Sequence, residues 1–225
     1  MDEIKQQMIH IGRKLYDKGL VVATEGNMSC RLSDERILVT ASGVCKGELT
    51  PADLVVVDLA GKMLHSNGGP STEMQMHLEV YRSRPDVKAV IHAHPPYCIS
   101  LTLAGVSLDR PFLPESVLLL GSVPTTQYGR PSTEQIPQSI RAYIEKTDSL
   151  ILHRHGSLTV GKTLTEAYHK LEVMENTAKI IWLAKQVGPI QPLDKSELDE
   201  LLKLREQVYR MEFPILPFKK FFKLV

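Results

Sequence analysis

The stretch Ala89-Val90-Ile91-His92-Ala93-His94, closed by Pro95-Pro96, decides how this chain is read. Its length and apolar content predict a buried strand, and the two prolines, which interrupt a sheet ladder, predict where it stops. Successive side chains of a strand point to opposite faces, so His92 and His94 share a face and can converge on one cation. A second pair, His153 and His155, stands at the end of a strand expected over Ser149-Leu150-Ile151-Leu152-His153, and spacing alone leaves either histidine open as a third ligand. Gly156 predicts a sharp turn that presents His155 at a strand end. Three imidazoles without a fourth protein ligand leave coordination positions for water or substrate, the pattern of a catalytic rather than a structural zinc site. His10, His65, His77 and His169 fall on predicted helices or in a loop without ligand-like partners and are read as structural.

Working outward, Ile4, Met8, Ile11 and Leu15 recur at helical spacing before a Lys18-Gly19 stop. Short strands are expected over 27–32 and 37–40, around a polar Ser33-Asp34-Glu35-Arg36 turn, and at Leu54-Val55-Val56-Val57. Thr50-Pro51 suggests one helical turn. Beyond Asn67-Gly68-Gly69-Pro70, Ser71 or Thr72 is expected to cap a helix carrying Met74, Leu78 and Tyr81 and ended by Pro85. A short helix is expected up to Gly105, then a proline-marked region to about Pro131 and a helix near 134–146. A strand near Leu158-Thr159-Val160 leads to a long helix from Thr165 to Val187, stopped by Gly188-Pro189, and a last helix capped by Ser196. Strands joined by short turns favour one layered α/β domain with antiparallel pairing over a regular βαβ series.

The 225 residues suit one well-buried domain. A net charge of +1, from 27 basic and 26 acidic side chains, advertises no nucleic-acid partner. The N-terminus lacks the basic-then-apolar order of a signal peptide, and no apolar run approaches the roughly 20 residues of a membrane helix. The expectation is a cytoplasmic protein, with Cys30, Cys45 and Cys98 reduced. The absence of GxGxxG and GxxxxGK[ST] argues against dinucleotide and P-loop chemistry.

Five ordered segments then resemble one family: Thr24-Glu25-Gly26-Asn27-Met28-Ser29, Thr40-Ala41-Ser42-Gly43, Pro70-Ser71-Thr72-Glu73, Ala89-Val90-Ile91-His92-Ala93-His94 and His155-Gly156. The sequence resembles the class II, metal-dependent sugar-phosphate aldolases, a family that includes L-fuculose-1-phosphate aldolase and L-ribulose-5-phosphate 4-epimerase, over nearly its whole length. The resemblance implies a single-domain three-layer α/β/α sandwich with a mixed, largely antiparallel central sheet over residues 1–213, followed by an apolar-basic tail, 214–225. It implies His92, His94 and His155 as ligands of one divalent ion per subunit, zinc first, with manganese or cobalt also suited to a site that takes sugar oxygens. Glu73 falls at the catalytic carboxylate, and Asn27, Ser42, Gly43, Ser71 and Thr72 at the substrate phosphate. Hydroxyls, an amide, a close-approach glycine and helix N-H groups make physical sense as an anion site.

The resemblance weakens at Arg110-Pro111-Phe112-Leu113-Pro114-Glu115, where family aldolases can carry a tyrosine donated across the subunit interface. Glu115 lies near where related methylthioribulose-1-phosphate dehydratases place an acid-base glutamate, and Tyr209 resembles a second family tyrosine that protonates the aldehyde oxygen. A tyrosine acting in trans requires an oligomer, and the family's usual form is a homotetramer with its sites at subunit interfaces. The activity implied is reversible cleavage of a short ketose 1-phosphate, such as L-fuculose 1-phosphate or a deoxypentulose 1-phosphate, into dihydroxyacetone phosphate and a small aldehyde. A sugar-phosphate 4-epimerase, a dehydratase of the methylthioribulose-1-phosphate type and a non-catalytic module like the adducin head are the alternatives. The tail is expected to pack on a neighbouring subunit rather than on a membrane.

Overall fold

The computed structural model describes residues 1–65, 69–209 and 217–218, so most of the 214–225 tail lies outside the described residues. Helix α1 (Asp2–Asp17) buries Met8, Ile11 and Leu15 along one side and is followed by Gly19 at φ +66°, a left-handed position that suits glycine. Seven strands follow: β1 (Asn27–Arg31), β2 (Arg36–Thr40), β3 (Leu54–Asp58), β4 (Met63–His65), β5 (Ala89–Ala93), β6 (Ser149–Leu152) and β7 (Gly156–Gly161). They form one sheet in the order β4-β3-β2-β1-β5-β7-β6.

Every ladder in that sheet is antiparallel. The only parallel element among the described residues is an isolated bridge from Thr125 to Ile151, so the expected mixed sheet is mixed at that one point alone. The cause is local. Short turns join β1 to β2, β3 to β4 and β6 to β7, and a short turn returns the chain antiparallel.

Alternation along the strands then sorts residues between two cores. Met28, Cys30, Ala89, Ile91 and Ala93 bury against α1, α3 (Pro96–Leu103) and α6 (Leu164–Val187). Ile37, Val39, Val55, Val57 and Val90 bury on the other face, against α2 (Met74–Ser83) and α5 (Gln135–Ile144). Full burial of each such aliphatic side chain is worth about 1.5–3 kcal/mol, so a register slip that exchanged the faces would be heavily disfavoured. The two cores make the expected α/β/α layering.

A strand and an α-helix lie outside the sequence expectations, as does a 3-10 turn at Lys46–Glu48. Strand β4 is three residues long, and α4 (Pro114–Leu119) sits within the proline-marked region, where Pro114 occupies a tolerated first-turn position. Helix α4 packs against α7 (Lys195–Gln207), and the buried Arg205 donates to the carbonyls of Val117 and Leu118. The cap of α7 is Asp194 rather than Ser196. Its carboxylate accepts from Glu197 N at 2.9 Å while Glu197 accepts from Asp194 N at 3.1 Å, a reciprocal capping box. Likewise α2 begins at Met74 with Glu73 in the cap position, and Ser71 Oγ accepts from Glu73 N at 3.3 Å. Among the described residues no helix is long and apolar enough to cross a membrane.

Candidate metal centre

Strand β5 lies between β1 and β7, and the register sets Asn27 and Leu158 opposite His92. His94 follows just beyond the strand, its N-H bonded to Leu20 O at 2.9 Å. The β6–β7 turn delivers His155, whose N-H bonds to Leu152 O at 3.0 Å. The left-handed residue in that turn is Arg154, at φ +60°, and not Gly156 as expected. Gly156 is instead required by crowding. A Cβ there would stand 2.4 Å from Ala93 O, 2.9 Å from His94 Cδ2 and 3.0 Å from His92 Cε1. His153 is partly buried in the same turn and does not join the cluster that forms.

That cluster is Glu73, His92, His94 and His155, whose ligand atoms all lie within 4.8 Å of one another. Outer partners set two of the imidazole tautomers. His92 Nδ1 is 2.8 Å from Ser157 O, which can only accept, and His94 Nδ1 is 3.1 Å from the Glu25 carboxylate. Both Nδ1 atoms therefore carry hydrogen and both Nε2 atoms turn lone pairs inward, 3.0 Å apart. Two lone pairs at that distance call for a cation between them. Imidazole nitrogens on a tetrahedral zinc stand about 3.4 Å from one another, close to what is observed. Glu73 completes the set, with Oε2 3.2 Å from His92 Nε2 and Oε1 3.2 Å from His155 Nε2, and Oε1 has no aligned hydrogen-bond donor of its own. Three nitrogens and one carboxylate converging on one point fit a divalent ion.

Burial works to raise the Glu73 carboxyl, but contacts with His155 and His92 outweigh it and hold the group well below the usual carboxylate range. Burial, with His92 and His155 alongside, pushes His94 down to about 3, so it stays neutral and able to ligate in mild acid. His77 is pushed down to about 3 as well, mainly by burial. An imidazole neutral in the fold takes up a proton on unfolding below its ordinary value of 6.5, so stability is lost as pH falls through that value. Each such group contributes up to about 1.4 kcal/mol per pH unit. Unfolding free energy is expected to decline between pH 6.5 and 4.5, and His77→Gln should make the decline shallower by about one proton. Urea titrations at several pH values measure the slope, and an unaltered slope in the variant would contradict this assignment.

Of the expected phosphate residues, Ser42 and Gly43 are exposed on the loop after β2, and Ser71 and Thr72 lead into α2. The two segments are joined by the Ala41–Pro70 bridge and by Ser42 N donating to Gly69 O at 3.0 Å. Gly43 has φ +73° and nothing within 4 Å of where a Cβ would be, leaving room for an approaching group. Asn27 is buried and committed elsewhere, donating to Glu73 Oε2 at 3.3 Å. A cavity of about 280 Å³ opens beside Glu73, lined also by Thr72, Gln75, Ser132, Thr133 and Glu134. Ser132 takes φ +59° there, a strained value for a residue other than glycine, and its Oγ is 2.9 Å from Thr72 Oγ1. Glu115 is exposed in the first turn of α4 and Tyr209 is exposed just after α7, and neither belongs to the four-residue cluster.

Sequence reasoning gave Glu25 no role and read His77 as structural without ligand-like partners. The structure pairs Glu25 with His94 and sets His77 against Asn27 and Ser29. For Glu25 the available signal was its place inside one of the resembling segments.

The chain matches the family described as Class II Aldolase and Adducin N-terminal domain over residues 6–182 and belongs to that family. It is an enzyme of the class II aldolase type, a lyase, and such enzymes use a divalent metal. More particularly, it is 38% identical over 175 residues to an L-fuculose phosphate aldolase of Methanococcus vannielii, covering 78% of this chain and 93% of that one. It is 33% identical over 202 residues to a 3-oxo-tetronate 4-phosphate decarboxylase of Escherichia coli K12, covering 88% and 94%. In structure it superposes on YgbL from Escherichia coli with a TM-score of 0.81 at 33% identity, covering 88% of this chain and 97% of that one.

Proposed function

We propose that the chain is a reversible aldolase that splits a short ketose 1-phosphate, such as L-fuculose 1-phosphate or a deoxypentulose 1-phosphate, into dihydroxyacetone phosphate and a small aldehyde. The observation that carries this reading is the convergence of His92, His94 and His155 with the Glu73 carboxylate on one point. A divalent ion bound there, zinc by the preference of three imidazoles, supplies Lewis-acid polarisation of the ketose carbonyl and stabilises enediolate charge.

The chain's own groups do the rest. Glu73, held by Asn27 and displaced from the histidines as substrate enters, carries the proton to and from the carbon beside the carbonyl. In cleavage the electrons of the breaking carbon–carbon bond pass to the carbonyl, and Glu73, which takes up a proton from solvent once displaced from the histidines, then protonates the carbon. Ser42, Gly43, Ser71 and Thr72 grip the phosphate, while Asn27, its amide engaged by Glu73 and His77, holds the base. The proton of the departing aldehyde's hydroxyl goes to the Glu115 carboxylate, or to Tyr209 once its phenol has given its own proton to solvent. Both ride on the packed α4–α7 pair and are exposed, as groups serving a neighbour's site in a homotetramer would be. The free cysteines fit a reducing, cytoplasmic setting.

One observation favours a second reading. The Escherichia coli K12 decarboxylase aligns over 202 residues, and residues 110–115 offer no tyrosine. Loss of carbon dioxide from a 3-oxo acid phosphate forms the same kind of enediolate and has no aldehyde hydroxyl to deprotonate. Metal-loaded protein incubated with dihydroxyacetone phosphate and a panel of short aldehydes is expected to give condensed ketose 1-phosphates. Carbon dioxide from 3-oxo-tetronate 4-phosphate with no condensation would select the second reading, and C4 inversion or dehydration of a sugar phosphate would select an epimerase or dehydratase.

A further inference from the structure

Strand β1 and helix α2 meet with matched spacings. Alternate residues of a strand stand about 6.6 Å apart and every fourth residue of a helix about 6.0 Å. Asn27, Ser29 and Arg31 therefore line up with Glu73, His77 and Tyr81, and the contacts run in that order. Asn27 Nδ2 donates to Glu73 Oε2 at 3.3 Å, and His77 Nε2 meets Asn27 Oδ1. Ser29 Oγ lies 2.7 Å from His77 Nδ1 and 2.9 Å from Tyr81 Oη. Arg31 Nη2 donates to Tyr81 O at 2.6 Å, with its guanidinium 4.8 Å over the ring. Asn27, Ser29, His77 and Tyr81 are each at most 3% exposed, so water is kept from the chain.

The hydrogens in this chain have one consistent order. The Glu73 carboxylate can only accept, so Asn27 turns its NH2 toward it and its carbonyl toward His77. His77 Nε2 then carries the proton, which leaves Nδ1 of the neutral ring to accept from Ser29, and Ser29 to accept from Tyr81. Every donor points one way, toward Glu73. With the opposite His77 tautomer, Asn27 would gain nothing by that orientation, and an amide flip would set its carbonyl against the carboxylate.

Resting on the reading of Glu73 as the base, we propose that His77 is a positioning residue for proton transfer, fixing through the Asn27 amide the place and orientation of the Glu73 carboxylate. His77 touches neither the substrate nor the four-residue cluster. Its effect therefore falls on turnover and not on metal or phosphate binding.

Two amide substitutions separate the ring's two nitrogens. In His77→Gln the amide reaches the Nε2 position and still donates to Asn27, whereas in His77→Asn it reaches only the Nδ1 position beside Ser29. With metal-loaded full-length protein and the steady-state exchange of the carbon-bound hydrogen of dihydroxyacetone phosphate as readout, His77→Gln should keep kcat within about fivefold. His77→Asn should lose about 30-fold or more, with KM within about threefold and equal metal content. Equal kcat in the two variants, or losses in KM alone, would overturn the proposal. If either variant melts far below the parent, Asn27→Asp decides, because it keeps an acceptor for His77 and sets a second negative charge against Glu73. A large fall in kcat is expected, and a parent-like kcat overturns the role. A parent protein that exchanges nothing rejects the proposed ketose 1-phosphate reaction and the His77 role together, an outcome distinct from exchange that is indifferent to residue 77.

Discussion

Gly156→Ala is expected to lose divalent-metal affinity by about 10–100-fold, although it alters no ligand. The added methyl would stand 2.4 Å from Ala93 O, and that carbonyl is fixed by the β5–β7 ladder, in which Ala93 faces Ser157. Relief must come from splaying the two strands or from pushing the rings of His92 and His94, 3.0 and 2.9 Å away, off their common point. Either shift moves nitrogens by several tenths of an ångström at a site where bond lengths vary by about 0.2 Å. Overpacking of this kind also costs about 1–3 kcal/mol, a fall of about 2–10 °C in melting temperature for a chain of this size. Calorimetric titration with zinc beside thermal unfolding checks both parts. Parent-like affinity in a destabilised variant would mean that the rings do not need the space this glycine leaves.

The second large effect falls on Glu73. Glu73→Gln keeps the size and one acceptor of the side chain but removes its capacity to carry a proton, so kcat should fall by about 10³-fold. Metal should stay bound, because three histidines remain to hold it. Steady-state rates at matched metal content measure this. A loss of less than about threefold would transfer the proton to another group, and a loss of metal in place of rate would make Glu73 a ligand first and a base second.

These two residues also show what a sequence conveys and what it withholds. The fold's centre was legible because β5 is five consecutive buried residues flanked by prolines, and the HxH spacing puts two imidazoles on one face whatever the surroundings. Strands β1, β2 and β3 were legible as short runs beside turn residues, and α1, α2, α5 and α6 from apolar spacing. Helix α4 was hidden because its six residues carry too few turns to show a period, and β4 because three residues show no alternation. The choice between His153 and His155 rested on family resemblance, since it depends on the path of a turn that Arg154 bends into the left-handed region.

Gly156 was read as a flexible turn residue because sequence shows a glycine's freedom but not its neighbours. Its actual constraint comes from Ala93, distant in the chain. The same holds for Glu25 and His77. A carboxylate beside His94 from 69 positions away, and an imidazole on α2 meeting an asparagine on β1, are tertiary facts with no local period. Ser196 is the expected cap of the last helix, and the reciprocal bonds between Asp194 and Glu197 make the aspartate the cap instead.

On the proposed function, a divalent ion on His92, His94 and His155 and the Glu73 carboxylate together activate the carbon beside a ketose phosphate carbonyl. The most direct test is the incorporation of deuterium into dihydroxyacetone phosphate in heavy water, followed by proton magnetic resonance. The account predicts loss of one carbon-bound hydrogen signal with metal-loaded protein, no loss after chelation, and a rate about 10³-fold lower in Glu73→Gln. Exchange that is absent with the metal-loaded parent, or that survives either chelation or Glu73→Gln unchanged, would contradict it.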